Sequence, residues 1–473
     1  MLFNNFVFVK SPLNNDTICA LSTPPGTGAI AVIRVSGKDA LSICGKIFRK
    51  KNSKPADLFK FKTHTVHYGE IIHNNIVIDD VVISLFKAPT SYTGEHIVEI
   101  SCHGSQYIQQ QILHLLVKHG ARLANAGEFT FRAFMNGKFD LSQAEAVADL
   151  ISSHSATSHH VAMQQMRGGF SSKIKVLRDN LINFASLVEL ELDFSEEDVE
   201  FASKTELTKL VSSLQSIIEK LIRSFELGNV IKNGVPVCIA GRPNAGKSTL
   251  LNALLDEEKA IVSDIPGTTR DAIEDEIVIE GVRFRFIDTA GLRKTTDTIE
   301  SMGVARTYEK MKEASVVIYL FDVHELSSTE LQKELDELKQ HITNAELIIT
   351  GNKIDREDIA YTKKEYSHFK DIIFISSKEK QNLEELKSRL IDIFDEKSSN
   401  IPETIITNAR HVEALQQTNN ALTRVKEGLE KKLSGELLAS DIRDALHYLG
   451  LITGEVSTDD LLQTIFSKFC IGK

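Results

Sequence analysis

The sequence predicts a multidomain protein in which an α+β domain is followed by an all-α helical domain, with an α/β domain inserted into the helical one. Three observations predict this fold class. Residues 1–138 mix short β-branched segments with turn residues, and apolar residues recur at helical spacing over 139–231 and 398–473. Strand-like and helix-like segments alternate over 232–397, which is typical of a doubly wound sheet. The length of 473 residues suits roughly three domains.

The elements of the first domain follow from local patterns. Runs rich in β-branched residues predict strands at Ala29–Val35, Ile76–Leu85 and Ile97–Ser101. Amphipathic spacing predicts one helix at Gln106–His119.

The second helical stretch predicts that the α/β domain is an insertion. A polar linker at Glu396–Glu403 separates the last helix of the alternating region from a renewed helical pattern. Ser457 and Asp460 predict the cap of the final helix.

Composition favours an intracellular protein. The five cysteines show no CxxC or His/Cys ligand spacing, so we expect neither disulfides nor structural zinc: Cys19, Cys44, Cys102, Cys238 and Cys470. No run resembles a membrane span, and the apolar start Met1–Lys10 lacks a signal-peptide cleavage pattern. We therefore expect a cytoplasmic location and no membrane partner.

The formal net charge of −10 disfavours RNA binding through a diffuse basic surface. One compact basic run stands out, with Lys50, Lys51 and Lys54 in the segment KKNSKP. A solvated loop is the ordinary interpretation of such a run.

Residues 241–249 read GRPNAGKST and match the phosphate-binding P-loop, because a strand-like run precedes them and a helix-like run follows. In such loops backbone N–H groups surround the phosphates and the lysine, here Lys247, reaches the β and γ phosphates. Ser248 would supply a hydroxyl to Mg²⁺. The residues expected to contact the nucleotide are Asn244, Ala245, Gly246, Lys247, Ser248 and Thr249.

A second motif indicates that the base is guanine. Asn352, Lys353 and Asp355 form an NKxD element after an apolar strand. The Asp355 carboxylate can accept from N1–H and the exocyclic amine of guanine, a pair of donors that adenine does not offer. The supporting loop is expected at Ser376, Ser377 and Lys378.

Two polar loops between these motifs are expected to sense the γ phosphate. One reads DIPGTTRD and would line the nucleotide with Asp264, Ile265, Pro266, Gly267, Thr268 and Thr269. The other would do so with Asp288, Thr289, Ala290 and Gly291. We expect Thr269 and Ser248 to hold Mg²⁺, with Asp288 acting through water.

The water-orienting glutamine of Ras-type GTPases is replaced by Leu292. Two residues are candidates for supplying the missing catalysis. Asn244 could help to bind a monovalent cation, although asparagine also favours turns. Glu300 could orient the water, although an acidic side chain in this segment is also typical of a solvated surface.

The motifs DIPGTTRD and DTAGLR, the P-loop and the terminal FCIGK together resemble the MnmE (TrmE) family of tRNA modification GTPases, over nearly the whole chain. The resemblance implies a homodimeric GTPase activated by K⁺. It further implies a partner, the FAD-containing flavoprotein MnmG (GidA), in a heterotetramer or larger complex. Together they would add a carboxymethylaminomethyl or aminomethyl group at C5 of the tRNA wobble uridine.

The same resemblance implies further site residues. K⁺ would be held by Asn244, Ser263, Ile265 and Thr268, Ser263 also lies at the GTP site, and catalysis would use Glu300 with Lys247. Three N-terminal blocks resemble the family's tetrahydrofolate-binding and dimerisation domain. A reduced folate, 5,10-methylene- or 5-formyl-tetrahydrofolate, would be bound by Arg34, Glu99, Lys138 and Lys473.

Two of these assignments have alternatives. Arg34 and Glu99 could form a pair between neighbouring strands. Cys470 could assist the uridine chemistry as a tRNA-modification thiol, or it could be a buried structural thiol.

Two other functions fit a GTPase of this kind. A ribosome-assembly GTPase switch is disfavoured because no KH-type GXXG module or basic tail follows the α/β domain. A membrane-remodelling GTPase is disfavoured because no basic amphipathic helix is evident.

Overall fold

The computed structural model describes residues 16–51, 54–193, 204–258, 275–287, 311–342, 345–356, 363–369, 371–398, 404–431 and 433–472. The described residues form two compact units. One contains the residues up to Ile151, Met163–Ile218 and those from Glu413 onward. The other contains Ser152–Ala162 and the described residues of Glu219–Val412.

A seven-stranded sheet forms the start of the first unit. Its strands are β1 Thr17–Leu21, β2 Ile30–Ser36, β3 Phe48–Arg49, β4 Thr65–His73, β5 Ile76–Phe86, β6 Ile97–His103 and β7 Ala121–Leu123. They lie in the order β3-β4-β5-β6-β2-β1-β7. Neighbours are antiparallel except β1 and β7, which are parallel. The predicted strands are present, with ends shifted by one or two residues.

One face of this sheet is buried by α1 Ala40–Ile47 and α2 Gln106–Lys118. Alternate strand residues such as Ile33 and Ile100 face Leu41 and Leu116 of these helices in one core. Arg34 follows Ile33 and Glu99 precedes Ile100 along their strands. Their side chains therefore point to the opposite face of the sheet.

The next helices are α3 Glu128–Met135, α4 Leu141–Ile151, α5 Ala156–Met166, α6 Gly169–Asp193 and α7 Lys204–Asn233. The last four of these helices follow the apolar spacing predicted from residue 139 onward. The sequence predicts only Gln106–His119 as a helix of the N-terminal part, so α1 and α3 are additional to that prediction.

The α/β part has the strands β8 Val235–Ala240, β9 Asp275–Ile279, β10 Val282–Phe286, β11 Val316–Asp322, β12 Glu346–Asn352 and β13 Ile372–Phe374. Its helices are α8 Lys247–Glu258, α9 Ser328–His341 and α10 Leu383–Ser398. The strand order is β13-β12-β11-β8-β10-β9, and only the β9 and β10 pair is antiparallel.

Helices cover both faces of this second sheet. Ile239 of β8 packs with Leu254 of α8 and Leu390 of α10, whereas the neighbouring Cys238 packs with Leu335 of α9. This arrangement is the doubly wound fold, and it brings the carboxyl ends of the parallel strands to one edge.

The chain ends in α11 Ala409–Glu430, α12 Gly435–Thr453 and α13 Asp459–Phe466. In the first unit α12 packs on α6, and Phe466 of α13 is buried with Leu141 of α4. The N-cap of α13 is Thr458, whose hydroxyl accepts from the Leu461 N–H at 3.3 Å, so the predicted cap at Ser457 is wrong by one residue. The fold class is confirmed: α+β, all-α and inserted α/β parts are all present. None of the described helices combines the length and apolarity that crossing a membrane requires.

Candidate functional site

The P-loop lies between β8 and α8 and is shaped by close backbone contacts. A Cβ at Gly241 would lie 2.0 Å from the Leu320 carbonyl oxygen, and one at Gly246 would lie 2.3 Å from Nδ2 of Asn352. Both glycines have positive φ, as does Asn244 at 63°. Any larger side chain would push the loop away from β11 and β12, so the glycines fix the loop against the strands that carry the rest of the site.

Lys247 is the first residue of α8, and its ammonium group is held over the loop. Nζ donates to the carbonyl oxygens of Gly241 at 2.7 Å and Arg242 at 2.8 Å. Burial lowers the pKa of Lys247. Ser248 follows in the first helical turn. A closed loop of backbone amides, a lysine and a helix N-terminus fits a triphosphate with its Mg²⁺.

Asn352 joins the P-loop to the base-reading loops. Its Nδ2 donates to the Ala245 carbonyl oxygen at 2.8 Å, and its Oδ1 accepts from both N–H and Oγ of Ser377 at 3.0 Å. The side chain is buried, with 2 % exposed. Every polar atom of the amide group is therefore committed to holding three segments of the site together.

Asp355 is oriented by a single strong contact. The Ser376 hydroxyl donates to its Oδ1 at 2.6 Å, and this bond is the main cause that holds the pKa of Asp355 below its usual value. The N–H of Glu379 in turn donates to Ser376 Oγ at 3.1 Å. An ionised carboxylate fixed in this way can accept two donors from a guanine edge.

Lys353 is clamped by the loop that follows β11, an arrangement that sequence reasoning missed. Its Nζ lies 2.5 Å from Oδ2 of Asp322, which is only 4 % exposed. The ring of His324 meets the Lys353 carbonyl oxygen at 3.0 Å through Nε2. Asp322 stands opposite Asn352 in the β11 and β12 register. The sequence signal that could have revealed this contact was an acidic residue, Asp322, at the carboxyl end of the strand beside β12.

Several predicted GTP-site and cation-site residues lie outside the described residues. They are Ser263, Asp264, Ile265, Pro266, Gly267, Thr268, Thr269, Asp288, Thr289, Ala290, Gly291 and Glu300. Lys473 of the predicted folate site also lies outside them. Lys378 is described and exposed, with Nζ 3.2 Å from Glu379.

A second group of polar residues lies on the face of the N-terminal sheet opposite α1 and α2. Arg34 and Glu99 stand directly opposite in β2 and β6, and Nη2 lies 2.8 Å from Oε1. The cross-strand pair is therefore formed. The Arg34 guanidinium also lies over the rings of Tyr92 and Phe129, 5.3 and 5.6 Å from their centroids. Both aromatic residues lie in the N-terminal blocks that resemble the folate-binding domain, but sequence reasoning assigned a role to neither.

The carboxyl terminus packs beside this pair within the same unit. Ile471 forms an isolated bridge with Ala126, and the Gly472 carbonyl oxygen accepts from Ser22 Oγ at 3.2 Å and from Arg34 Nη1 at 3.5 Å. Cys470 is exposed, which excludes the buried structural thiol.

Lys138 packs beside Gly94, with its Cε 3.4 Å from where a Cβ on Gly94 would lie. Its neighbour Phe139 contacts the Tyr92 ring edge to face at 5.7 Å, and Arg34 lies over that same ring. The structure thus brings the terminal segment to Arg34 and Glu99, and it connects Lys138 to them only through its neighbour Phe139 and Tyr92.

Comparisons with known proteins point to one family over nearly the whole chain. The family model described as "GTP-binding protein TrmE N-terminus" matches residues 17–138, and that described as "MnmE helical domain" matches residues 141–470. Three similar proteins are each named "tRNA modification GTPase MnmE". That of Cytophaga hutchinsonii is 57% identical, covering 97% of this chain and 98% of the relative. That of Flavobacterium johnsoniae is 55% identical and that of Bacteroides thetaiotaomicron 50%, each covering 98% of this chain and 100% of the relative.

Proposed function

This chain belongs to the MnmE family of tRNA modification GTPases, and on that premise we propose that GTP hydrolysis in its α/β domain drives modification of the wobble uridine at C5. The product would carry a carboxymethylaminomethyl or aminomethyl group. The observation that carries this proposal is the Asn352 side chain, which joins the phosphate loop at Ala245 to the guanine-reading loop at Ser377. Family membership favours this function over a ribosome-assembly switch.

Different residues are proposed to bind different parts of the nucleotide. Asp355 reads the guanine edge, and Lys247 with the P-loop amides binds the phosphates. Mg²⁺, held by Ser248 and Thr269, would supply positive charge to the phosphate oxygens. The backbone of the P-loop is already shaped by its contacts with β11 and β12, so little reorganisation is needed when GTP binds.

Activation by K⁺ is proposed to replace an arginine finger. Asn244 has a left-handed backbone, with φ of 63°, which turns its peptide into the phosphate loop. The ion, held by Asn244, Ser263, Ile265 and Thr268, would add a positive charge beside the phosphates. Glu300 is proposed to orient the attacking water, in the role that Leu292 leaves unfilled.

A reduced folate, 5,10-methylene- or 5-formyl-tetrahydrofolate, is proposed as the one-carbon donor. Arg34 is held by Glu99 and by two aromatic rings, so its guanidinium is fixed in orientation. A planar guanidinium and a carboxylate side by side provide the donors and acceptors that a pterin edge requires, while Lys138 and Lys473 would offset the folate carboxylates. The exposed Cys470 is proposed to lie close enough to assist.

The working assembly is proposed to be a cytoplasmic homodimer that binds tRNA and the flavoprotein MnmG (GidA), whose FAD supplies the redox chemistry. Pairing of the α/β domains across their γ-phosphate-sensing loops would complete the cation site. GTP and K⁺ would favour the paired state to the extent that they bind it more tightly than the unpaired state.

Reconstitution tests this proposal. The purified chain, the flavoprotein with FAD, reduced folate, K⁺ and an unmodified tRNA transcript should yield C5-modified uridine with GTP. Replacing GTP by GDP or by a non-hydrolysable analogue should abolish the product. Equal product with and without GTP hydrolysis would refute the coupling.

A further inference from the structure

A basic and aromatic surface lies at the β3 edge of the N-terminal sheet. In a chain of net charge −10, residues 46–62 contain seven basic residues and one acidic residue, Asp57. We call this surface the basic edge, and it comprises Lys50, Lys51, Lys54, Phe59, Lys60, Phe61, Lys62, His67 and Tyr68. A solvated loop accounts for lysines alone, but it does not account for how the aromatic side chains are arranged among them.

One lysine and two rings of the basic edge pack against one another. Lys50 Nζ lies 5.0 Å from the centroid of the Phe61 ring, and that ring lies 4.2 Å from the ring of His67. Two more rings face solvent, because Phe59 is 53% exposed and Tyr68 is 54% exposed. Exposed rings beside cations are available to stack on a nucleic-acid base.

The positive charge is available to an external anion. Among the described residues, Lys50, Lys54 and Lys62 make no ion pair, and Lys60 meets Asp57 only at 3.6 Å with both side chains exposed. Burial, and next the charge of Lys50, lower the pKa of His67. Tyr68 differs from the other members, because its hydroxyl donates to Asp80 Oδ2 at 3.0 Å, so the field is positive around Lys50, Phe61 and His67.

We infer that the basic edge binds a single-stranded part of tRNA, with phosphates on the lysines and an unpaired base stacked on Phe59. Lysine charge with exposed rings is the combination that recognises single-stranded nucleic acid, because lysines bind phosphates and rings stack on unpaired bases. The inference rests on the proposed function, since tRNA is its substrate. It assigns part of the tRNA contact to this chain as well as to the flavoprotein partner.

The charge contribution is tested with the full-length chain and a fluorescently labelled tRNA transcript. The triple variant Lys50→Gln, Lys54→Gln, Lys62→Gln should weaken binding at least about tenfold near physiological salt. The slope of log affinity against log salt should fall by about 2, because each single-strand phosphate contact contributes roughly 0.7. The matched control is Lys333→Gln, Lys363→Gln, Lys364→Gln, three exposed lysines of the other compact unit, which should leave the slope unchanged.

The stacking contribution is tested separately with Phe59→Ala. Affinity should fall at least about fivefold, the lower end of the cost of removing a base-stacking ring, while the salt slope stays the same. Tyr107→Ala is the control, since Tyr107 is 65% exposed on α2 and lies outside the basic edge. An anticodon stem-loop RNA should compete better than a blunt duplex of equal length.

The outcomes separate this inference from the proposed function. If the wild-type chain binds no tRNA either alone or with the flavoprotein, the proposed function fails in its substrate. If tRNA binds only to the complex and the triple variant leaves that binding unchanged, the inference alone is overturned. If the wild type binds tRNA and the triple variant binds it equally well, the basic edge is not the RNA surface. If that variant instead loses only its binding to the flavoprotein, the edge is a protein interface and the inference is overturned. Circular dichroism and thermal unfolding unchanged from the wild type show that the fold of each variant is intact.

Discussion

The side-chain amide of Asn352 donates a 2.8 Å hydrogen bond to the carbonyl oxygen of Ala245, 107 residues earlier in the chain. The oxygen of the Asn352 side-chain amide accepts two hydrogen bonds from Ser377. The loop for the phosphates and the loop for the base are thus one hydrogen-bonded unit, so disturbing either one is expected to alter the affinity for the whole nucleotide.

Base recognition is predicted to reside in Asp355. The variant Asp355→Asn replaces an acceptor with a donor, so it should lose GTP and gain xanthosine triphosphate, whose edge carries an acceptor at the same position. Turnover with both nucleotides measures the exchange, and Asp336→Asn, an exposed position on α9, is the control. GTP turnover equal to that of the wild type would show that Asp355 does not read the base.

Cation activation is predicted to depend on the Asn244 side chain. We choose Asn244→Gly because glycine keeps the positive φ of 63° without strain and removes only the amide group. Wild-type hydrolysis should be fast in K⁺, NH₄⁺ or Rb⁺ and slow in Na⁺ at matched ionic strength, and the variant should lose this difference.

Glu300 is predicted to act on the transition state. Glu300→Ala should bind GTP and pair its α/β domains in K⁺ as the wild type does, yet turn over slowly. Equal rates of GTP hydrolysis by the wild type in potassium and sodium would rule out activation by the cation. A normal rate for Glu300→Ala would remove that residue from the mechanism.

Folate affinity is predicted to depend on Arg34. Arg34→Ala removes a charge-assisted contact, so 5-formyltetrahydrofolate should bind roughly 10- to 150-fold more weakly by calorimetry. Arg49→Ala is the matched control, because Arg49 makes a 2.8 Å ion pair with Glu70 in the same sheet. A loss of equal size in both variants would mean that the sheet, not the site, was damaged.

The basic edge makes a prediction about pH. Lys50→Gln removes a positive charge beside His67 and so removes part of the penalty on the protonated ring. The pKa of His67 should therefore rise toward its usual value, yet stay below it because burial is the larger cause. An NMR titration of His67 measures this, with Lys118→Gln as the control. An unchanged pKa would place Lys50 away from the ring.

The sequence predicts those parts of the site that are local. The P-loop and the NKxD element are contiguous motifs whose chemistry requires fixed residue types, so GRPNAGKST and Asp355 could be identified before the fold was known. The clamp of Asp322 on Lys353 depends on two strands lying side by side, and the contact of Gly472 with Arg34 joins the two ends of the chain. Neither leaves a periodic pattern. The cap at Thr458 differs from the predicted Ser457 because either hydroxyl suits a cap, and the backbone decides between them.

Nucleoside mass spectrometry of tRNA tests the central claim most directly. Strains would carry a deletion of this gene, complemented by the wild-type chain or by Lys247→Ala, which removes the ammonium group that reaches the phosphates. The account predicts that C5-carboxymethylaminomethyl or aminomethyl uridine at the wobble position disappears in the deletion, returns with the wild type and stays absent with Lys247→Ala. The same modified nucleoside at wild-type abundance in the deletion strain would contradict it.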